Sequence, residues 1–500
     1  VNATPDTRRW PDRAWVQAAL VLALGLAVYL PALGVRPLDN SEGHRVLPGW
    51  TMLRTGDWLK MEMFEQGYLR KPPGMSWAVA GTSSLLGETV LAARLPSALA
   101  AIALGLATWW FVRRWLGGRW GVPAAAACLL MPQMWAPGRS AEIEMLNTFG
   151  TGLMALGLLD LVLRRPGAGT LTGLLAGALG AGGIVVCAAA KGPASATVLL
   201  GVLTVVSAII ARGLAPAGAG VRVLASVVLG IASTAALAAA VLLANAGPDV
   251  IREDVAGAFL WTPGRLMGVA LLLPLAALSA APISLALGFP WLGRSRRLIA
   301  PDDRAVLVGA VCGGAWLVSV GLLVLAGVSN PRYALPAAVL IPPVAAALLA
   351  HLSRAGTHRA PATLIGAALV IGALVNIALA ARPTFDQRAG PEAARTLALG
   401  LTPGRPAIVW ADDAIEARPD VLDLLAKNAT GGPVRIVWAK HRMLRAELPE
   451  NTRGDAYMLL RTDAGSPETA RFAASIESGR LREVARAGIR GWSFALYRRN

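Results

Sequence analysis

Long apolar runs recur through the first 380 positions, parted by short polar segments rich in arginine. Each run is long enough to cross roughly 30 Å of hydrocarbon as a helix. The pattern predicts spans at about 14–33, 95–112, 120–136, 145–163, 169–189, 194–211, 223–245, 267–291, 305–327, 334–350 and 362–381. The chain therefore reads as an α-helical multi-span membrane protein with about eleven transmembrane helices. The first run is too long for the apolar core of a signal peptide, and no small-residue cleavage pattern follows it, so it is expected to stay as a span.

Past Arg382 the pattern changes to short alternating segments punctuated by Gly and Pro. "AIVWA" (407–411), "VRIVWA" (434–439), "AYMLL" (456–460) and "SFALY" (493–497) read as strands, and "DAIEARPDVLDLLAKN" and "SPETARFAASIESG" read as helices. Alternation of the two favours a small soluble α/β domain. The expected division is a transmembrane domain over 1–382 and an α/β domain over 383–500.

The loop 34–94 is too long and too patterned to be a plain linker. In "VLPGWTMLRTGDWL", Val46, Trp50 and Leu53 fall on one helical face. Such a face suits a helix lying on the membrane surface, with Trp50 and Trp58 at headgroup level. The apolar stretch 74–87 is too short to span and is expected to form a juxtamembrane or re-entrant helix.

Composition sharpens this reading. Hydrophobic residues make up 55% of the chain and charged residues only 15%, against about 25% charged in soluble domains. The net charge of +17 raises nucleic acid as a partner, but the arginines sit between the apolar runs and form no basic stripe interleaved with aromatics. No nucleic acid is expected. Placing the N-terminus inside puts Arg8, Arg9, Arg13, Arg113, Arg114, Arg119, Arg164, Arg165, Arg212, Arg222, Arg294, Arg296, Arg297, Arg304, Arg354 and Arg359 in inner loops. Only Arg139, Lys191, Arg252, Arg265 and Arg332 then lie in short outer loops. This bias predicts a cytoplasmic N-terminus in the inner (plasma) membrane, with loop 34–94 and the α/β domain extracytoplasmic. The three cysteines, Cys128, Cys187 and Cys312, lie inside apolar runs without metal or disulfide spacing, and read as buried thiols. The glycine-rich stretch 167–183 lacks the Lys-Ser/Thr ending of a phosphate loop and reads as close helix packing.

The ionisable residues at outer positions are the candidates for chemistry. Asp39, Glu42, His44 and Arg45 follow the first span. Arg70 and Lys71 precede Pro72-Pro73. Arg139, Glu142 and Glu144 lie between the third and fourth spans, Lys191 ends the fifth, and Arg332 and Tyr333 open the tenth. Arg139 and Glu142 also read as a surface pair worth under about 1 kcal/mol, and Lys191 as a residue reaching to the interface. Taken together, carboxylates facing several cations beside a bilayer suit a lipid-linked phosphate. Cations hold the phosphate and stabilise it as a leaving group, and a carboxylate takes a proton from an attacking hydroxyl or amine. Glu42, His44, Glu142 and Glu144 also offer a nitrogen–oxygen site to a divalent metal if they converge, although the spacing does not demand it.

With these residues in hand, the chain resembles the C-type membrane glycosyltransferases, and in particular the protein O-mannosyltransferase and lipid A aminoarabinose transferase family. The resemblance covers about residues 15 to 350. It is carried by "NSEGHRVLPGWTMLRTGDW", "YLRKPPGMSW" (68–77) and "GRSAEIEML" (138–146), with "AAAKGP" (188–193) and "NPRYALP" (330–336) as family-like span ends. Counted back from "TGDW", the family's first-loop Glu falls on Glu42 and its Asp on Ser41, so either Asp39 substitutes from a shifted position or Glu42 acts alone. The resemblance implies Glu42 as general base and Glu144, or Glu142, as second-loop acid. It implies Lys71, Lys191 and Arg332, with Arg139 and Arg70, on the donor phosphate. It also implies a polyprenyl-phosphate sugar donor, a protein or glycolipid acceptor on the outer side, and inversion at the sugar carbon. A transporter or flippase of lipid-linked sugars is the rival reading. It would place polar groups at mid-membrane and show internal repeats.

Overall fold

A computed structural model of the chain describes residues 13–38, 41–64, 66–164, 169–211, 213–245, 304–325, 331–354, 371–375, 389–412, 419–429, 432–439, 455–462, 467–489 and 492–500. In chain order the elements are α1 (Ala14–Tyr29), α2 (Gly43–Thr55), the hairpin β1 (Glu62–Met63) and β2 (Gln66–Gly67), α3 (Gly74–Leu86), α4 (Val90–Leu116), α5 (Gly118–Leu129), α6 (Pro132–Trp135), α7 (Ile143–Leu163), α8 (Thr170–Lys191), α9 (Ala196–Ala211), α10 (Ala219–Ala244), α11 (Arg304–Leu325) and α12 (Ile341–Arg354). A second layer follows: α13 (Ala389–Ala398), β3 (Ala407–Asp412), α14 (Pro419–Asn428), β4 (Val434–Ala439), β5 (Asp455–Arg461), α15 (Pro467–Glu477), β6 (Leu481–Ile489) and β7 (Trp492–Arg499).

Among the described residues six helical segments are long and apolar enough to cross a membrane: α4, α7, α8, α10, α11 and Leu335–Ser353. They match the expected spans 95–112, 145–163, 169–189, 223–245, 305–327 and 334–350. The expected span 14–33 is a 16-residue helix ending at Tyr29, two residues before Pro31. The expected span 194–211 is also a 16-residue helix. The expected span 120–136 is corrected. Its helix stops at Leu129 after 12 residues, a rise of about 18 Å. The break falls where Met131 takes an extended conformation (φ −62°, ψ 120°), as the residue before Pro132 is driven to do. The expected spans 267–291 and 362–381 lie outside the described residues, apart from a helical turn at 371–375.

Helix α7 runs through the middle of the bundle, against α4, α8, α9 and α10. Glycine lets it approach α8 backbone to backbone. A Cβ on Gly157 would stand 2.7 Å from Gly180 N and 2.8 Å from Ala176 O, and one on Gly150 would stand 2.5 Å from Cys187 N. Gly183 in turn faces the Met154 backbone. This is the close packing expected of the glycine-rich stretch. Because the obstacle is main chain and not a flexible side-chain tip, Gly183→Val is expected to part the two helices. The variant should lose most of its monodisperse peak in detergent size-exclusion chromatography, while Gly182→Ala, which meets nothing within 4 Å, should behave as wild type.

At one end of α7 lies Asp160, fully buried. Trp115 Nε1 donates to its Oδ1 at 2.9 Å, and Arg164 donates to its Oδ2 from Nη2 at 2.7 Å. Arg114 Nε lies 2.8 Å from Oδ1. The opposite end carries the two loops that build the site described below.

In the loop between α1 and α4, α2 and α3 pack face to face. Val46, Trp50 and Met52 are buried with Met61, Met63, Met75 and Val79 in one cluster. The apolar face of α2 was expected to lie on a membrane surface; it instead covers α3. Trp58 remains 41% exposed. Asn245, after α10, fastens this loop: its Nδ2 donates to Leu59 O at 2.8 Å, and Met61 N donates to its Oδ1 at 2.8 Å.

The C-terminal layer is a five-stranded sheet of order β4-β3-β5-β7-β6. The first three strands are parallel and the last two antiparallel. All four expected strands are present. Strand β6 and helix α13 were not expected; β6 ("LREVARAGI") is a charged edge strand, which apolar alternation does not reveal. The layer rests on the first loop, with Phe64 against its core and the Lys427 ammonium 4.9 Å from the Trp50 ring centre.

Candidate functional site

Glu42 stands at the start of α2, only 3% exposed. Arg94, in the second turn of α4, grips its carboxylate with two of its nitrogens: Nε donates to Oε1 at 2.8 Å and Nη2 to Oε2 at 2.7 Å. The N–H of Ala141 adds a third bond to Oε1 at 2.7 Å. The rest of the guanidinium donates to the carbonyls of Leu33, Arg36 and Pro37. A bidentate buried pair of this kind is strong and geometrically exact. It ties the exit of α1, the start of α2, the start of α4 and the loop before α7 into one block.

A cluster of cations lies beside this block. Lys71 occupies the turn before α3. Gly74 allows that turn to rest on the end of α8, since a Cβ there would stand 2.6 Å from Ala189 O. Lys191 is the last residue of α8, and Gly192 then reverses the chain with φ +67°. Lys191 Nζ is 3.2 Å from Glu144 Oε1, and Arg332 Nη1 is 4.0 Å from the same oxygen. Tyr333 presents its ring to both cations, 4.3 Å from Lys191 Nζ and 5.6 Å from the Arg332 guanidinium carbon. Burial pulls the Lys71 pKa below the ordinary lysine value. The nearby charges of Arg45, Lys191 and Arg332 add to this, against the opposing pull of Glu144. Like charges gathered in this way favour an anion between them. Behind the cluster, Ser195 Oγ donates to Asn147 Oδ1 at 2.8 Å and lies 2.8 Å from Thr151 Oγ1, pinning the turn after Lys191 to α7.

Glu142 sits at the N-cap position of α7 yet caps nothing. Its Oε1 instead accepts a 2.5 Å hydrogen bond from Ser41 Oγ. Burial raises its pKa above the usual carboxylate value, and the Arg45 charge and the Ser41 bond offset part of that rise. The His44 ring stacks on Tyr68 with centres 5.6 Å apart. Burial, with the charges of Arg45 and Arg70, pushes the His44 pKa down to about 3, so its imidazole stays neutral near pH 7. Arg45 Nη1 donates to Tyr68 Oη at 3.3 Å. Arg45 Nε and Glu144 Oε2 are buried and make no hydrogen bond among the described residues.

The structure thus gathers Glu42, His44, Arg45, Arg70, Lys71, Glu142, Glu144, Lys191, Arg332 and Tyr333 from five separate segments. Arg139 is placed differently from the expectation. It donates to the carbonyls of Val28, Tyr29 and Pro31, at and beyond the C-terminus of α1, where unpaired carbonyls attract a cation. Asp39 lies outside the described residues. No group of three or more His, Cys, Asp and Glu side chains among the described residues is arranged to hold a metal ion. Three contributors were missed in the sequence. Arg94 looks like the marker of a span end, Ser41 carries no charge, and Tyr68 sits in an unpatterned turn.

The loops on one end of a helical bundle and the small sheet resting on them define a class of fold, and comparison identifies it. Residues 70–189 match the family model described as dolichyl-phosphate-mannose-protein mannosyltransferase. That stretch opens on Arg70 and Lys71 and closes two residues before Lys191. The structure of ArnT from Cupriavidus metallidurans in the apo state superposes with a TM-score of 0.68 at 18% identity, over 97% of each chain. The same protein bound to undecaprenyl phosphate gives a TM-score of 0.69 at 17% identity, over 97% of this chain and 98% of that one. No curated protein matches in sequence. The chain shares its fold with ArnT.

Proposed function

We propose that the protein is an integral membrane glycosyltransferase. It takes a sugar from a polyprenyl-phosphate donor and passes it, with inversion, to an acceptor on the extracytoplasmic side, either a protein hydroxyl or a lipid or glycolipid. The observation that carries this reading is the cation cluster of Lys71, Lys191 and Arg332, gathered beside buried carboxylates at one end of the helical bundle. Three cations suit a phosphate that enters as a diester and leaves with a second negative charge. Displacement opposite the phosphate needs one proton acceptor and no glycosyl-enzyme. The fold shared with ArnT, a protein seen bound to undecaprenyl phosphate, supports the donor class. The C-terminal layer rests on α2 and forms with it an open cleft of about 340 Å³ lined by Arg54, Asp423, Lys427 and Arg435; this contact supports a role in receiving the acceptor.

The donor site is tested by binding undecaprenyl phosphate to the purified protein. Lys71 must be protonated to hold a phosphate, and its pKa lies below that of an ordinary lysine. Affinity should therefore fall as pH rises, and fall earlier than lysine's usual value near 10.4 allows. Lys71→Arg, which keeps its charge at all these pH values, should abolish that fall. A wild-type affinity that does not change up to pH 10 would remove Lys71 from the donor site.

A further inference from the structure

Three carboxylates surround the site, and their surroundings divide their labour. Glu42 is committed: Arg94 covers both its oxygens and the Ala141 N–H adds a third bond. To take a proton it would have to give up a bidentate ion pair inside a buried block. Glu144 has an Oε2 unpartnered among the described residues, but Lys191 at 3.2 Å and Arg332 at 4.0 Å from its Oε1 favour its charged form and oppose its taking up a proton. Glu142 differs. Among the described residues no cation lies within 4 Å of it, and its hydrogen bond comes from a neutral hydroxyl. It makes no capping hydrogen bond, so accepting a proton would break none at the start of α7.

Resting on the transferase reading above, we infer that Glu142 is the proton acceptor of the reaction and that Glu42 is a positioning residue. Glu42 accepts from the N–H of Ala141, the residue before Glu142, while Ser41, the residue before Glu42, donates to Glu142. These reciprocal bonds lock the first and second loops in register. The Arg94 clamp therefore fixes where the Glu142 carboxylate stands. In the reaction the acceptor oxygen forms a bond to the sugar's anomeric carbon, the bond from that carbon to the donor phosphate oxygen breaks, the polyprenyl phosphate leaves with the electron pair, and the acceptor's hydroxyl proton passes to Glu142. Ser41 steadies the charged form of Glu142 before transfer. The raised pKa agrees with this role, since it makes the carboxylate a stronger base than a solvent-exposed glutamate.

The test measures transfer from undecaprenyl-phosphate-linked sugars to envelope extract in proteoliposomes, with undecaprenyl phosphate binding measured alongside. Glu142→Gln should lower kcat by about 10²–10⁴-fold with binding of undecaprenyl phosphate unchanged, and Glu142→Asp should restore part of the rate. The wild-type pH profile should show an acid limb above the range of an ordinary glutamate. Ser41→Ala should move that limb to higher pH, because the Ser41 bond holds the Glu142 pKa down; a purely structural serine would not move it. Full turnover by Glu142→Gln, or an acid limb unmoved in Ser41→Ala, would overturn the assignment while leaving the transferase reading intact. Wild-type protein that transfers from no donor would overturn both.

Discussion

Replacing Arg94 with methionine is expected to disable the protein without touching the cation cluster of Lys71, Lys191 and Arg332. The substitution strands the Glu42 carboxylate among buried groups and frees the carbonyls of Leu33, Arg36 and Pro37. Breaking a buried pair by removing one partner costs about 3–5 kcal/mol. Glu42→Leu leaves the opposite charge unpaired and should cost a similar amount. The double variant, with both charges gone, should be more stable than either single variant, because no uncompensated charge remains. Thermal unfolding in detergent reads this directly. Additive losses would mean that the pair does not act as a clamp. The double variant should still turn over poorly, since the bond from Ala141 to Glu42 that sets the Glu142 loop is gone.

The second large effect is expected at the far end of α7. Asp160 collects Arg114, Arg164 and the Trp115 indole in a fully buried site. Asp160→Asn keeps the shape but leaves two guanidinium groups without an anion. A loss of about 3–5 kcal/mol is expected, seen as a lower unfolding midpoint and lower yield. The protein that does fold should keep a normal undecaprenyl phosphate affinity, because the cluster of Lys71, Lys191 and Arg332 proposed to hold the phosphate sits at the other end of the helix. A changed affinity with an unchanged midpoint would show that the two ends are coupled and that Asp160 does more than hold the bundle.

The chain shows how far a membrane sequence can be read. Lys191, Glu144 and Arg332 were legible because a charge at the end of an apolar run stands out against a background that excludes charge. Lys71 was legible for the same reason and from the Pro-Pro-Gly that follows it. Arg94 followed the same rule and was lost, because an arginine beside a span already has an explanation as a boundary. What identifies it is its partner, Glu42, 52 positions earlier. The Ser41–Glu142 bond joins residues 101 apart and involves a neutral hydroxyl, so neither charge nor spacing could reveal it. The apolar face of α2 was read correctly as a face, but its partner was misassigned. Periodicity says that Val46 and Trp50 are covered and does not say whether lipid or α3 covers them. The sheet was legible in its apolar strands and not in β6, whose exposed edge is mostly polar.

One measurement bears most directly on the central claim. Purified protein in proteoliposomes receives an undecaprenyl-phosphate sugar labelled in the sugar, with envelope extract outside, and both the label and the lipid are followed. A glycosyltransferase predicts label appearing on an acceptor and free undecaprenyl phosphate appearing in equal amount, with both lost in Glu142→Gln. Intact labelled lipid crossing the bilayer, with no undecaprenyl phosphate released, would contradict the account and make the protein a carrier of lipid-linked sugars.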